Sequence, residues 1–122
     1  MTRMILTLVL FASCVVFPAT GMTQESLSLQ DRVRLENEAL RGSEAAARRI
    51  ALYHGTRNDK LFEYWSWIGA ENGDGISQFN YASMLRGKSD AYSKIRAIYW
   101  MEKAAQNNVE LARDELEKMR NP

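Results

Sequence analysis

The chain has 122 residues, 46% of them apolar and 25% charged, which is the composition of one ordinary folded domain and suggests neither a disordered chain nor a polytopic membrane protein. Sixteen Lys and Arg face fifteen Asp and Glu, and without Arg3 the two signs balance, so no basic surface for nucleic acid or an anionic membrane is expected. A single cysteine and a single histidine exclude a disulfide framework, a thiolate zinc site and a two-histidine metal centre, and no metal or cofactor is expected.

Residues 1–21 read as an export signal. Arg3 gives the positive start, Met4 to Phe17 an apolar run, Pro18 a break, and Ala19-Thr20-Gly21 the small residues of a cleavage site before Met22. The run is shorter than the roughly 20 residues that cross a bilayer as a helix, which argues against an uncleaved anchor. Phe11-Ala12-Ser13-Cys14 resembles a bacterial lipobox, although Phe11 stands where that pattern has Leu, so lipidation of Cys14 is a second reading. Cleavage leaves a periplasmic or secreted chain without cysteine; lipidation leaves a lipoprotein held at the membrane through Cys14. Residues 22–28 form a short linker on either reading.

From Leu29 onward apolar residues recur every three or four positions and no stretch alternates with period two, so 29–120 reads as one all-α domain of about six helices. Leu29, Val33, Leu35 and Leu40 mark the first helix, which ends near Gly42, a residue suited to the left-handed conformation. Ser43 caps a second helix to His54, with Ala46, Ala47, Ile50, Ala51 and Tyr53 on or near its buried side. Asn58 or Asp59 caps a third, reaching Asn72 before the turn Gly73-Asp74-Gly75. A fourth covers about 76–86, a fifth 91–106 and a sixth 109–120.

The chain also matches itself. Tyr64-Trp65 and the run to Asn72-Gly73 lie 35 residues before Tyr99-Trp100 and the run to Asn107-Asn108, while Ala51 to Gly55 precede Ser83 to Gly87 by 32, which implies a loop three residues shorter in the first unit. Gly73, Gln78, Phe79, Asn80, Ala82 and Gly87, then Ala97, Trp100, Lys103, Ala104 and Ala105, resemble the Sel1-like repeat, a relative of the tetratricopeptide repeats. The first unit is degenerate: Phe62 stands at the position of Ala97, and Gly69 at one of the paired alanines. Glu110, Leu111, Ala112 and Leu116 look like a third first-helix that caps the stack. The resemblance spans about 42–119 and implies a short α-solenoid of antiparallel hairpins, two degenerate repeats plus flanking helices. Its core would hold small residues (Ala51, Ala82, Ala97, Ala104, Ala105) that let helices approach, and Trp65 and Trp100 filling the space between them.

Catalytic constellations are missing from the sequence. His54 near a helix C-terminus reads as exposed or interacting with the helix dipole. Glu36 with Glu38 and Glu115 with Glu117 stand two apart and point in different directions, a solvated face rather than a site. Arg48-Arg49 reads as a surface charge pair, with an anion site as the alternative. Trp67, where the second unit has Glu102, makes the third helix apolar nearly all round. With Tyr64 it is a candidate partner-binding patch; packing beneath the segment from Leu27 to Leu40 is the competing reading. Gln78, Asn80, Tyr81 and Met84 on the fourth helix are a second candidate surface, with Gln78 and Asn80 open to a structural role.

These observations point to an exported protein–protein interaction module and not an enzyme. The resemblance implies adaptor or regulatory roles, and small exported members of the family can act as immunity proteins that occupy a secreted antibacterial toxin. An envelope scaffold lipoprotein and a hydrolase with an unrecognised carboxylate site are the alternatives. The open ends of a two-unit stack would be buried by pairing of two copies.

Overall fold

The computed structural model describes residues 26–122, in which six helices follow one another: α1 (Leu29–Leu40), α2 (Glu44–His54), α3 (Asp59–Asn72), α4 (Gly75–Arg86), α5 (Ala91–Gln106) and α6 (Glu110–Arg120). There is no strand among the described residues. The export signal, its cleavage point and Cys14 lie outside them. Leu27 and Ser28, expected at the end of a linker, belong to the fold: Leu27 is buried and Ser28 caps α1.

Local chemistry sets the helix ends. The side chains of Ser28, Ser43, Asn58, Asp74 and Asp90 each accept a hydrogen bond from the amide three residues on, satisfying a donor that a helix start leaves free. Gly42 and Gly73 turn the chain out of α1 and α3 at φ +104° and +103°, where a side chain would be strained. The connections 55–58 and 87–90 are equally long, contrary to the shorter first loop read from the repeat spacing. The three extra residues of the second unit instead form the first turn of α5, which carries Tyr92 outward, 73% exposed.

Each helix packs mainly on its neighbours in sequence, with lighter contacts from α1 to α3 and from α2 to α4. This is a succession of helical hairpins, in which each element is covered by those beside it in the chain. Two apolar clusters result. Leu27, Leu35, Ala39, Ala46, Ala47, Ile50, Ala51 and Trp65 make the first. Ala70, Ala82, Leu85, Ala97, Trp100, Met101, Ala104 and Ala112 make the second. Ala105 is only partly buried at its edge. Helix α3 serves both clusters, Trp65 on one side and Ala70 on the other.

The seam between the clusters is small and polar. Ser66, Gly69, Asp74, Ser77 and Gln78 are all buried there. A Cβ on Gly69 would stand 2.2 Å from Ser77 Oγ and 2.6 Å from its Cβ, so a glycine is what lets α3 and α4 close. This explains why Gly69 takes the place of an alanine in the first unit. The 35-residue echo reappears as geometry: Tyr64–Trp65 and Tyr99–Trp100 both meet edge to face with centroids 5.0 Å apart. Asn72 and Asn107 close corresponding turns, Asn72 donating to Ala39 O and Ser43 O, and Asn107 to Gly73 O and the Gln78 side chain.

Only part of the apolar pattern of α1 is used. Leu35 and Ala39 are buried, whereas Leu29, Val33 and Leu40, one stripe of the helix, are 68%, 49% and 57% exposed.

Candidate functional site

The outward face of α3 is set by its inward one. Trp65, Ser66, Gly69 and Ala70 turn toward the core, so the 3.6-residue period leaves Lys60, Tyr64, Trp67 and Glu71 on the opposite side. Tyr64 and Trp67 are each 40% exposed, their rings 6.0 Å apart. Trp67 Nε1 donates to Glu71 Oε1 at 3.2 Å, which orients the indole. Trp67 is therefore not sealed beneath the segment from Leu27 to Leu40.

Between α3 and α4, Lys60, Glu63, Tyr64, Trp67 and Tyr81 line a shallow cleft of about 250 Å³. Tyr81 is half-buried, its ring 6.1 Å from that of Trp100. Burial, followed by the charge of Glu63, raises the pKa of its phenol. Lys88 forms an ion pair with Glu63 across the rim, and that hydrogen bond raises the pKa of the ammonium.

The structure thus brings together Tyr64, Trp67 and Tyr81 from the two candidate surfaces. Asn80 and Met84, half-buried on α4, are not part of the cleft lining. Gln78 is not a contact residue: it is 4% exposed, donates to Ala70 O at 3.2 Å and accepts from Asn107 Nδ2 at 2.7 Å. Lys60 and Glu63 escaped the sequence reading, although Lys60 stands four and seven residues before Tyr64 and Trp67, the spacing of one helix face.

Two further expectations are corrected. His54 is 7% exposed rather than at the surface, and its Nε2 has no hydrogen-bond partner among the described residues. Burial lowers its pKa, Arg32 and Arg57 add to this, and Glu36 opposes it. Arg48 is not a free surface charge. It reaches 26 residues along the chain to the buried carboxylate of Asp74, its Nε 3.0 Å from Oδ1 and 3.1 Å from Oδ2, with Nη2 also on Oδ1. Asp74 further accepts from Ser77 N at 2.8 Å and Ser77 Oγ at 2.7 Å. Burial alone would raise its pKa, but the bonds from Arg48 and Ser77 outweigh burial and hold it below the usual carboxylate range.

Glu38 pairs with Arg34, and Glu115 with Arg86 and Lys118. Among the described residues no group of three or more His, Cys, Asp or Glu is placed to hold a metal ion. No described helix is long and apolar enough to cross a membrane.

Hairpins stacked in sequence, with an aromatic cleft on one outer face, make this an all-α helical-hairpin protein. The sequence is 28% identical over 108 residues to the uncharacterized protein YibG of Escherichia coli (strain K12), an alignment covering 84% of this chain and 70% of that one. No family model matches the sequence, and no solved structure matches the chain.

Proposed function

We propose that this protein is an exported protein-binding module of the Sel1-like kind, with the cleft of Tyr64, Trp67 and Tyr81 as its contact surface. The observation that carries the reading is the exposure of Tyr64 and Trp67 side by side over a concave, mixed-charge cleft. Large, stiff aromatic side chains at the centre of a contact bring much area at little entropic cost, which is why they anchor interfaces. The short helical stack supplies a rigid support for them.

As an exported module the chain would act by occupying another protein in the periplasm or outside the cell. A secreted antibacterial toxin is the partner class that the repeat resemblance favours, and the protein would then confer immunity.

The test is an affinity capture with the chain from residue 22 onward, beside a Trp67→Ala variant whose fold is checked by circular dichroism. One protein partner held by the wild type and lost by the variant is expected. A partner retained equally by both refutes the assignment of the surface. Co-expression that leaves cells unprotected from every neighbouring-gene toxin removes the immunity role.

A further inference from the structure

Through Tyr81 the cleft adjoins α5, because the Tyr81 ring lies 6.1 Å from that of Trp100. Glu63 and Lys88, together with Tyr92 and Arg96 of α5, bear electrostatically on the Tyr81 phenol. The Arg96 guanidinium carbon lies over the rings of Tyr99 and Trp100, 4.3 and 5.6 Å from their centroids, and Lys103 Nζ stands 5.6 Å from the Tyr99 centroid. Tyr81 and Tyr99 both abut the buried Trp100 ring, at 6.1 and 5.0 Å, so the aromatic surface of Tyr64, Trp67 and Tyr81 passes on to Tyr99 of α5 and the Arg96 guanidinium beside it.

The charges on this face are not evenly engaged. Glu63 is neutralised by Lys88, Glu102 by Arg120, and Glu71 accepts the Trp67 indole N–H. Its cations differ. Lys60 is exposed, Arg96 and Lys103 stand over ring faces, and none of the three is in ion-pair contact with a described carboxylate. A cation held on an aromatic ring keeps most of its capacity to pair with an anion while its position is already ordered.

Resting on the contact surface proposed above, we infer that its occupant is an acidic peptide segment of a partner protein, bearing one aromatic or leucine anchor. The anchor takes the Tyr64–Trp67–Tyr81 cleft, and flanking carboxylates meet Lys60 on one side and Arg96 with Lys103 on the other. The interleaved Glu63, Glu71 and Glu102 disfavour a continuous phosphate backbone, which would pass each of them.

Selection from a phage-displayed library of random dodecamer peptides tests this with the chain from residue 22, using Trp67→Ala and Lys60→Glu as counter-selections. Both side chains are exposed, so neither change threatens folding. The expected peptides carry Asp or Glu around an apolar anchor, fail on Trp67→Ala, and bind Lys60→Glu at least about tenfold more weakly; in about 0.5 M salt they also weaken. Neutral or basic peptides that need Trp67 but ignore Lys60→Glu overturn the acidic partner and leave the contact surface standing. Enrichment of no Trp67-dependent peptide overturns both. Tighter binding of a fluorescent oligothymidylate than of any selected peptide, lost in Lys60→Glu, replaces the peptide by nucleic acid.

Discussion

Replacing Asp74 by alanine is the most informative perturbation of the fold, because one side chain there caps α4 and joins α2 to α4 across the seam. Loss of the cap costs about 1 kcal/mol. Loss of the Arg48 bonds adds about 1.5 kcal/mol, the low end for charge-assisted bonds, because Arg48 is 45% exposed and regains water. The buried Ser77 hydroxyl loses its acceptor, for about 1 kcal/mol more. The expected loss is therefore about 3 to 4 kcal/mol, a fall in melting temperature on the order of 12 °C or more for a domain of this size.

Circular dichroism during urea and thermal unfolding reads it directly. Asp74→Asn keeps the cap oxygen and drops the charge, so it should lie midway. Arg48→Ala should destabilise the wild type by about 1 to 2 kcal/mol and the Asp74→Ala background hardly at all. The depressed carboxyl pKa adds a pH signature. Its stabilisation is fully present above the unfolded value near 4 and is lost as pH falls through the folded value, so Asp74→Asn should flatten the acid limb. A melting shift under about 4 °C for Asp74→Ala, or additive losses with Arg48→Ala, would show that the seam is held by packing alone.

Gly69→Ala should cost on the order of 1 to 3 kcal/mol by overpacking against Ser77, and Ser77→Gly in the same chain should relieve that clash while still lacking the Ser77 hydroxyl bond; a neutral Gly69→Ala would mean that the helices slide apart freely. His54 has a lowered folded pKa, so unfolded chains bind its proton first: stability should decline as pH falls through about 6.5 and level off below the folded value, and His54→Leu should remove that slope in urea midpoints measured across pH. Trp67→Ala should change stability by no more than about 1 kcal/mol, against about 3 to 5 for the buried Trp65, so a large loss in its denaturation curve would place Trp67 in the core.

The candidate site was only half legible. Trp67 and Tyr64 stood out because a helix has one core-facing stripe and α3 carries more large apolar residues than that stripe can hold. Tyr81 joined them only when α4 was laid beside α3, and Lys60 and Glu63 looked like ordinary surface charges until the cleft gave them neighbours. Gln78 went the other way, since its bonds to Ala70 O and Asn107 span eight and 29 residues.

The sequence by itself determined the helices and nearly all of their limits, because caps such as Ser43, Asn58 and Asp90 act on amides three residues away and the apolar period is itself a local property. It also carried the 35-residue echo, since matching aromatic pairs are written into the chain. Only the tertiary structure decided which faces were covered. Leu35 and Leu40 look alike in sequence, and one is buried while the other is exposed because α2 and α3 cover one side of α1 and leave the other open. His54 and Asp74 are buried, and Arg48 is paired, through contacts with elements distant in sequence or through the packing of whole hairpins. Burial and ion pairing depend on distances in space that no local pattern of residues encodes.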